Sequence, residues 1–425
     1  KNFLLVCDTN TNRLEEQISY GKPEGRIIIP VHGDIYFNSS SNKIPDYRWE
    51  NYKEQNIPIL FPSIAAPYCR IEEGKFVFNF DIISAIFYFL SGWQEKNCVE
   101  RDYLNRFVFE NSIQKKLDII NIPVVNYYYL MLKEAMAYAG VNSGNNKFNI
   151  FSQPLVWITH DIDVVGNLWK KELKHDLKQF SLLKLFKKCL KLEYFRLSNS
   201  FNLIGQIQKK YDFKSTFFYL SQRKTYKGIR NADYDISNKR IKKIIEEQIN
   251  EGNQIGIHGS FTTSENSSNM ENDIINLGYN LNINRYHYLM FDCIKTIDVL
   301  VSNNIKFDST LGFNSIPGFR NSTAFPFFLF NHKKNNISTV IEIPLIIMDA
   351  SLFLDHYLNI KNGETAFNYI KPLIDQIKIT GGILTVNWHN DSFVNDDEKV
   401  KCFEKLIYYT KEVGFKFVLF PNSNF

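Results

Sequence analysis

The chain is poor in the features that usually place a sequence quickly. Its six cysteines, at 7, 69, 98, 189, 293 and 402, stand singly, without a CxxC pair or the short spacing of a zinc site. That excludes a sulfur-ligated metal site of the usual kind and a disulfide framework, and it reads as free thiols in a reducing compartment. No apolar run approaches the roughly 18 residues of a membrane span; FDIISAIFYFLSGW (80–93) is at best a buried helix. KNFLLVCDTN at the start carries an apolar run only from Phe3 to Val6, too short for the core of a secretion signal, so the expected location is cytoplasmic. Charge of one sign is also scarce. With 50 basic and 45 acidic residues the net charge is +5, which gives no case for nucleic-acid binding. What remains, 44% hydrophobic and 22% charged, is the balance of a folded globular protein.

A length of 425 residues allows two or three domains. The first 149 mix strand-like runs with helices. RIIIPVHGDIYF (26–37) reads as strand, turn, strand, and the segments near 80–93 and 125–139 read as helices, which predicts a small α+β domain. GVNSGNNKF (140–148), rich in Gly, Asn and Ser, is the best linker, and the boundary is set near 150. From 150 to 425 short apolar runs alternate with helical ones: LVWIT, STFFYL, QIGIHGS, RYHYLMF, KFDSTLGF, TVIEIPLII, GILTVNWHN and FKFVLF. Such alternation argues for parallel βαβ units. Seven or eight of them suit a closed or nearly closed (β/α) barrel better than an open sheet, since such a barrel typically needs about 250 residues. LWKKELKHDLKQFSLLKLFKKCLKLEYFRL (168–197) is a basic helical insertion after the first strand. Its reading is a lid with a solvated lysine face, with contact to a membrane surface or an acidic substrate as the alternative.

Barrel enzymes gather their sites at the C-terminal ends of strands. Asp161 and Asp163 follow the first strand, His258 ends the third, Arg285 and His287 belong to the fourth, Asp308 to the fifth, Asp349 follows the sixth and His389 closes the seventh. Two carboxylates one residue apart repel when desolvated and so call for a cation or a split in protonation. Asp163 and His258 suit zinc or another divalent transition metal with open positions. Asp161 is then the general base, His389 the acid on the other side, and Arg285 the group that keeps Asp161 ionised. Asp308, before Ser309 and Thr310, reads equally as a helix cap; His32, His175, His332 and His356 are read as surface or hydrogen-bonded residues. The sum is metal-assisted hydrolysis of an amide or ester.

Laid out this way, the C-terminal part resembles the polysaccharide deacetylases of carbohydrate esterase family 4, the NodB-homology group, and the resemblance implies a distorted (β/α) barrel of seven or eight units. The resemblance implies that the aspartates of THDID supply a base, Asp161, and a metal ligand, Asp163. The family's second motif, His, three residues, His, is matched in IGIHGSFTT only at His258, since Thr262 stands where the second histidine belongs. His287 in NRYHYLMF is the candidate to replace it. LTVNWHND, ending on His389, is similar to the late motif, and YDFKSTFFYL resembles the second strand. FDSTLGFNSIPGFRNSTAFPF and IEIPLIIMDASL look like blocks of a bacterial subgroup and bring in Arg320 and Asp349. FDIISAIFYFLSGWQE, RDYLNRF and IPVVNYYYLML resemble the uncharacterised domain that precedes the barrel there. The implied activity is removal of an acetyl or similar acyl group from an N-acylated sugar or glycan, with a divalent ion, foremost zinc, otherwise cobalt, nickel or iron. Trp388, Tyr288, Arg320, Asp308 and Asp349 are the expected substrate contacts, with Trp157, Tyr286 and Phe319 as further stacking candidates. Two other readings stay open: a barrel that has lost its metal and binds or scaffolds glycans, and a hydrolase of a non-sugar amide.

Overall fold

LVWITHDI is buried along its whole length (Leu155–Ile162), as suits a central parallel strand covered on both faces. The computed structural model describes residues 18–38, 43–63, 67–140, 153–165, 194–394 and 396–420, the side chains of 194–199 excepted. Around that strand, β7, lie β8 (Thr216–Leu220), β9 (Gln254–Gly259), β10 (Ile283–Tyr286), β11 (Phe307–Asp308), β12 (Phe327–Asn331), β13 (Asn336–Glu342), β14 (Ile347–Met348), β15 (Ile383–Asn387) and β16 (Lys416–Phe417). They form one sheet in the order β12-β13-β11-β10-β9-β8-β7-β15-β14, with β16 also beside β7. Every pairing is parallel except that of β12 with β13. The stretch after β13 bends the sheet on itself: Ile343 N–H donates to Asp308 O, while Ile346 N–H donates to Thr385 O on β15. The result is a strongly curled, parallel, distorted barrel.

Helices join the strands and turn one apolar face inward. In Lys239–Asn250, Ile241, Ile245 and Gln248 are buried, and the Asn238 side chain caps the first turn by accepting from Arg240 N–H. Inside the curl, Trp157, Phe218, Ile283 and Phe307 pack as a floor. The polar residues of the strand ends stand above it.

The N-terminal residues form a four-stranded sheet, β1 (Ile18–Tyr20), β2 (Ile27–Ile29), β6 (Lys75–Phe78) and β5 (Cys69–Glu72) in that order, with a separate hairpin of β3 (Tyr47–Tyr52) and β4 (Gln55–Leu60). Helices Ile82–Leu90, Trp93–Asn97 and Val124–Tyr138 cover them. The second strand expected in RIIIPVHGDIYF is a short helix, Asp34–Phe37. Asp81 Oδ2 accepts from both His32 N–H and Gly33 N–H, and this draws the chain into a turn before a second strand can form. The linker and the boundary near 150 fall at 141–152, and most of the basic insertion falls at 166–193, outside the described residues; residues 194–197 open the helix Tyr194–Tyr211. Cys69, Cys98, Cys293 and Cys402 are free, and Cys7 and Cys189 lie outside the described residues. No helix among the described residues is long and apolar enough to cross a membrane.

Candidate metal centre

Alternation along the strands decides which side chains meet. On β7, Trp157, Thr159 and Asp161 point into the curl, and His160 points out. His160 is fully buried between Trp388 O (2.7 Å from Nδ1) and Ser215 Oγ (3.2 Å from Nε2). Burial pushes its pKa down to about 4, so it is a neutral core residue beside the site rather than in it. On the neighbouring strands the inward positions are His258 and Arg285, paired in register. His258 is followed by Gly259, where an added Cβ would lie 2.4 Å from the Tyr286 ring; only glycine lets the two strands approach there.

Asp163, His258 and His287 bring one ligand atom each to within 4.8 Å of one another. Asp163 Oδ1 is 3.2 Å from His258 Nε2, and Oδ2 is 3.4 Å from His287 Nε2. Each imidazole is oriented from behind. His258 Nδ1 lies 2.8 Å from Arg285 O and His287 Nδ1 lies 3.5 Å from Asn231 Oδ1, so Nδ1 carries the proton and each Nε2 faces the carboxylate with its lone pair. Lone pair facing lone pair is repulsive unless a proton or a cation sits between them. Asp163 Oδ1, buried and without a hydrogen bond, is the orphaned atom that such a cation would satisfy. Two imidazole nitrogens and a carboxylate oxygen are a donor set that fits zinc and similar ions. Burial, with the neighbouring His258 ring, lowers the His287 pKa, overriding the pull of Asp163; burial likewise opposes charge on His258, but there Asp161 and Asp163 prevail and raise it. Asp163, although burial works against its charge, is held well below the usual carboxylate range by the two rings.

Two further groups flank the trio. Asp161 Oδ1 accepts from Arg285 Nη1 (3.0 Å), and Oδ2 accepts from Asn387 Nδ2 (2.8 Å). Arg285 is fully buried; it also donates to Thr159 Oγ1, to Ser309 O and to Ser309 Oγ, with its guanidinium 4.6 Å over the Phe218 ring. On the other side His389 Nε2 is 3.7 Å from Asp163 Oδ2. Asp349 grips His389 twice, accepting from its backbone N–H (3.0 Å) and lying 2.6 Å from Nδ1. Burial disfavours the charged ring, yet Asp349, with help from Asp163 and Asp161, pushes its pKa up to about 10.

His287 does not lie in a strand as RYHYLMF suggests. Strand β10 stops at Tyr286, and His287–Leu289 form a single 3-10 turn. Tyr288 (φ 59°) and Leu289 (φ 53°) are both left-handed, at a cost of about 1–2 kcal/mol per residue for side chains other than glycine. That bend turns His287 toward Asp163. Thr262, in the place of the missing histidine, points elsewhere, its hydroxyl accepting from Asn269 Nδ2 at 3.3 Å.

Several expected substrate contacts are corrected. Trp388 is fully buried on the outer face, packed on Phe353 and Phe403, because it alternates with the inward Asn387 and His389; it is no sugar platform. Trp157, Tyr286 and Phe319 are equally buried in the core. Asp308 is on the outer face, accepting from Asn284 Nδ2. Arg320 is buried, its guanidinium donating to both Glu95 oxygens (2.9 and 2.8 Å) and to Gly312 O, so it is engaged inside the protein rather than presented to a ligand. Asp349 stands behind His389 rather than facing substrate. Tyr288 alone of this group is partly exposed at the mouth, its ring stacked 4.0 Å from that of His287, with Phe261 and then Tyr226 stepping outward at 6.2 Å centroid spacings. Sequence reasoning missed Asn387 and Asn231. Asn387 was visible as a polar inward residue two positions before His389; Asn231, in a loop, leaves no periodic signal.

Residues 5–141 match a family described as a family of unknown function (DUF7033). No curated protein matches the chain. Among solved structures it is similar to PuuE allantoinase at 12% identity, covering 62% of this chain and 86% of that one, with a TM-score of 0.40. It is also similar to the polysaccharide deacetylase Bc1974 from Bacillus cereus (11% identity, 64% and 95% covered, TM-score 0.34). A further likeness is to the peptidoglycan deacetylase PdaC from Bacillus subtilis (13% identity, 63% and 87% covered, TM-score 0.31).

Proposed function

We propose that the protein is a metal-dependent hydrolase that removes an acetyl or similar acyl group from the nitrogen of a sugar. The observation that carries this reading is the grouping of Asp163, His258 and His287 around one point, between a carboxylate and an imidazole whose environments are opposite. A divalent ion held by those three residues, zinc first among the candidates, supplies Lewis acidity at an acyl carbonyl and acidifies water. The rest falls to the chain's own groups. Asp161 keeps a free lone pair on each oxygen beside its bonds to Arg285 and Asn387, and takes the proton of the attacking water. His389, charged through Asp349, gives its Nε2 proton to the nitrogen that departs as the C–N bond breaks. Amide and water become carboxylic acid and amine, the acid loses its proton to solvent, and Asp161 and His389 are restored by proton exchange.

Tyr288, Phe261 and Tyr226 give the site an aromatic lip of the kind that stacks on sugar rings, which favours a glycan over a small linear amide. A barrel that only bound glycans would have no use for an acid and a base held on opposite sides of one trio. The test is metal content by elemental mass spectrometry after dialysis, alongside acetate release from a panel of N-acetylated sugars, for the wild type and Asp163→Ala. Bound metal and acetate release, both lost in the variant, are expected. A wild type that takes up no zinc, cobalt, nickel or iron even from excess would overturn the reading.

A further inference from the structure

We infer that the N-terminal region is part of the metal centre: Arg106 positions the third ligand by holding the strained turn that carries His287. The inference rests on His287 being a ligand. Arg106 belongs to RDYLNRF, far in sequence from the barrel, and is nearly fully buried. Its Nη1 donates to Tyr288 O at 2.6 Å, the carbonyl between the two left-handed residues Tyr288 and Leu289. Nε and Nη2 donate to Asp102 Oδ2 at 2.8 and 2.7 Å. Asp102 Oδ1 in turn accepts from Leu104 N–H and Arg106 N–H, so the guanidinium is fixed before it meets the turn. The loop itself is anchored on the barrel by Phe107 and Phe109 against Phe313.

The consequence follows from backbone chemistry. A tyrosine and a leucine do not hold consecutive left-handed conformations unless their surroundings impose them. Leu289 is held by burial beside Leu345 and Met348. The carbonyl of Tyr288 is held by a charge-assisted bond from Arg106, the stronger kind. Release of that carbonyl lets the turn relax toward extended backbone, which would carry His287 off Asp163. Because Thr262 supplies no imidazole, the site then falls to two protein ligands. The N-terminal region thereby makes up for the histidine absent from the barrel.

The test is zinc affinity of the full chain by competition with a chromogenic chelator, for the wild type, R106A, R106K, H287A and R106A/H287A, with I57V, at a buried position of the N-terminal region away from that loop, as a control for packing. Loss of an outer-shell partner typically weakens a metal site about 10–100-fold, so R106A is expected to raise the zinc Kd by that factor and R106K to recover part of it. The double variant should bind no more weakly than H287A alone, since Arg106 acts only through that ligand. I57V is expected to lower the unfolding midpoint without moving Kd. An R106A Kd equal to the wild type, or an R106A penalty that persists in full when His287 is already alanine, would overturn the inference. A wild type without zinc affinity would instead overturn the metal site itself.

Discussion

At the scale of single residues the site depends on what stands behind each reacting group. Asp349 lies 2.6 Å from His389 Nδ1, and its charge is what keeps the ring protonated against burial, with a pKa near 10. An acid with a raised pKa stays competent until pH climbs through that value. In Asp349→Asn burial prevails, so the alkaline limb of the kcat profile should move down toward or below the ordinary imidazole range of about 6.5, with kcat near pH 8 falling by about 10². A pH–rate profile with an unmoved limb would remove His389 as the acid. Asp161→Asn should lose about 10²–10⁴ in kcat while keeping its metal, because Asp161 is not among the three grouped ligands; metal content and turnover of the same preparation check both halves. These roles differ in how far the sequence shows them. Once Thr262 is seen to replace a histidine, the search for another nitrogen leads to His287, and the structure groups that ring with Asp163 and His258. Asp349 is recognisable as a strand-end acid, but nothing in one dimension says that it faces an imidazole. For Trp388 the alternation in NWH carries the answer: with Asn387 and His389 inward, the tryptophan between them must face the helices.

At the scale of elements, periodicity located strands and helices well where both faces of a strand are buried, as in TFFYL and QIGIHG, and failed where one hydrogen bond bends the chain. The turn at His287–Leu289 and the helix at Asp34–Phe37 both arise from contacts with side chains far away in sequence, Arg106 and Asp81. A different element shows what a polar residue in an apolar strand signifies. Glu342 in TVIEIPLII lies in register with Asp308 on β11, both fully buried. Leu311 N–H donates to Glu342 Oε1, and Asn284 Nδ2 donates to Asp308 Oδ1. Burial first, and for Glu342 the neighbouring charge as well, raises both carboxyl groups above their usual range, Glu342 well above it, and Glu342 Oε2 is buried without a hydrogen-bond partner, which a protonated carboxyl tolerates better than a charged one. Raised folded-state values mean that the folded form holds its proton more tightly than the unfolded chain does. The stabilisation is therefore complete below the usual carboxylate range and declines as pH rises through the raised folded-state values. Glu342→Gln keeps the acceptor for Leu311 N–H without a titrating proton. Its thermal midpoint should equal or trail the wild type near pH 5 and gain on it steadily toward pH 9, followed by calorimetry across that range. Parallel curves would show that Glu342 does not hold its proton more tightly in the folded state.

At the scale of the whole molecule, the N-terminal elements and the barrel are joined by polar groups deep inside rather than by a surface contact. Arg320 and Glu95, 225 positions apart, form a two-bond ion pair that is almost completely buried. Asn126 donates to Gly381 O while its oxygen accepts from Ala324 N–H. Gly318, at φ 143°, lies so close to Ile120 that an added Cβ would be 2.6 Å from its carbonyl oxygen. Residues so far apart carry no periodic signal, so nothing in the sequence pairs Arg320 with Glu95 rather than with a substrate. Breaking a buried pair by removing one partner costs about 3–5 kcal/mol, because the other charge stays buried and unpaired. Glu95→Gln should therefore lower the unfolding midpoint markedly. Since the helix that carries Glu95 packs on one unit while its side chain holds the other, both should open together. Hydrogen exchange decides this directly: peptides covering Ile82–Asn97 and Leu155–Ile162 should lose protection at the same denaturant concentration in wild type and at the same lower concentration in the variant. Early loss confined to the first peptide, with the barrel strand unchanged, would mean that the two units are stable independently, and the coupling that lets Arg106 support the metal centre would then have to reside in the 101–109 loop alone.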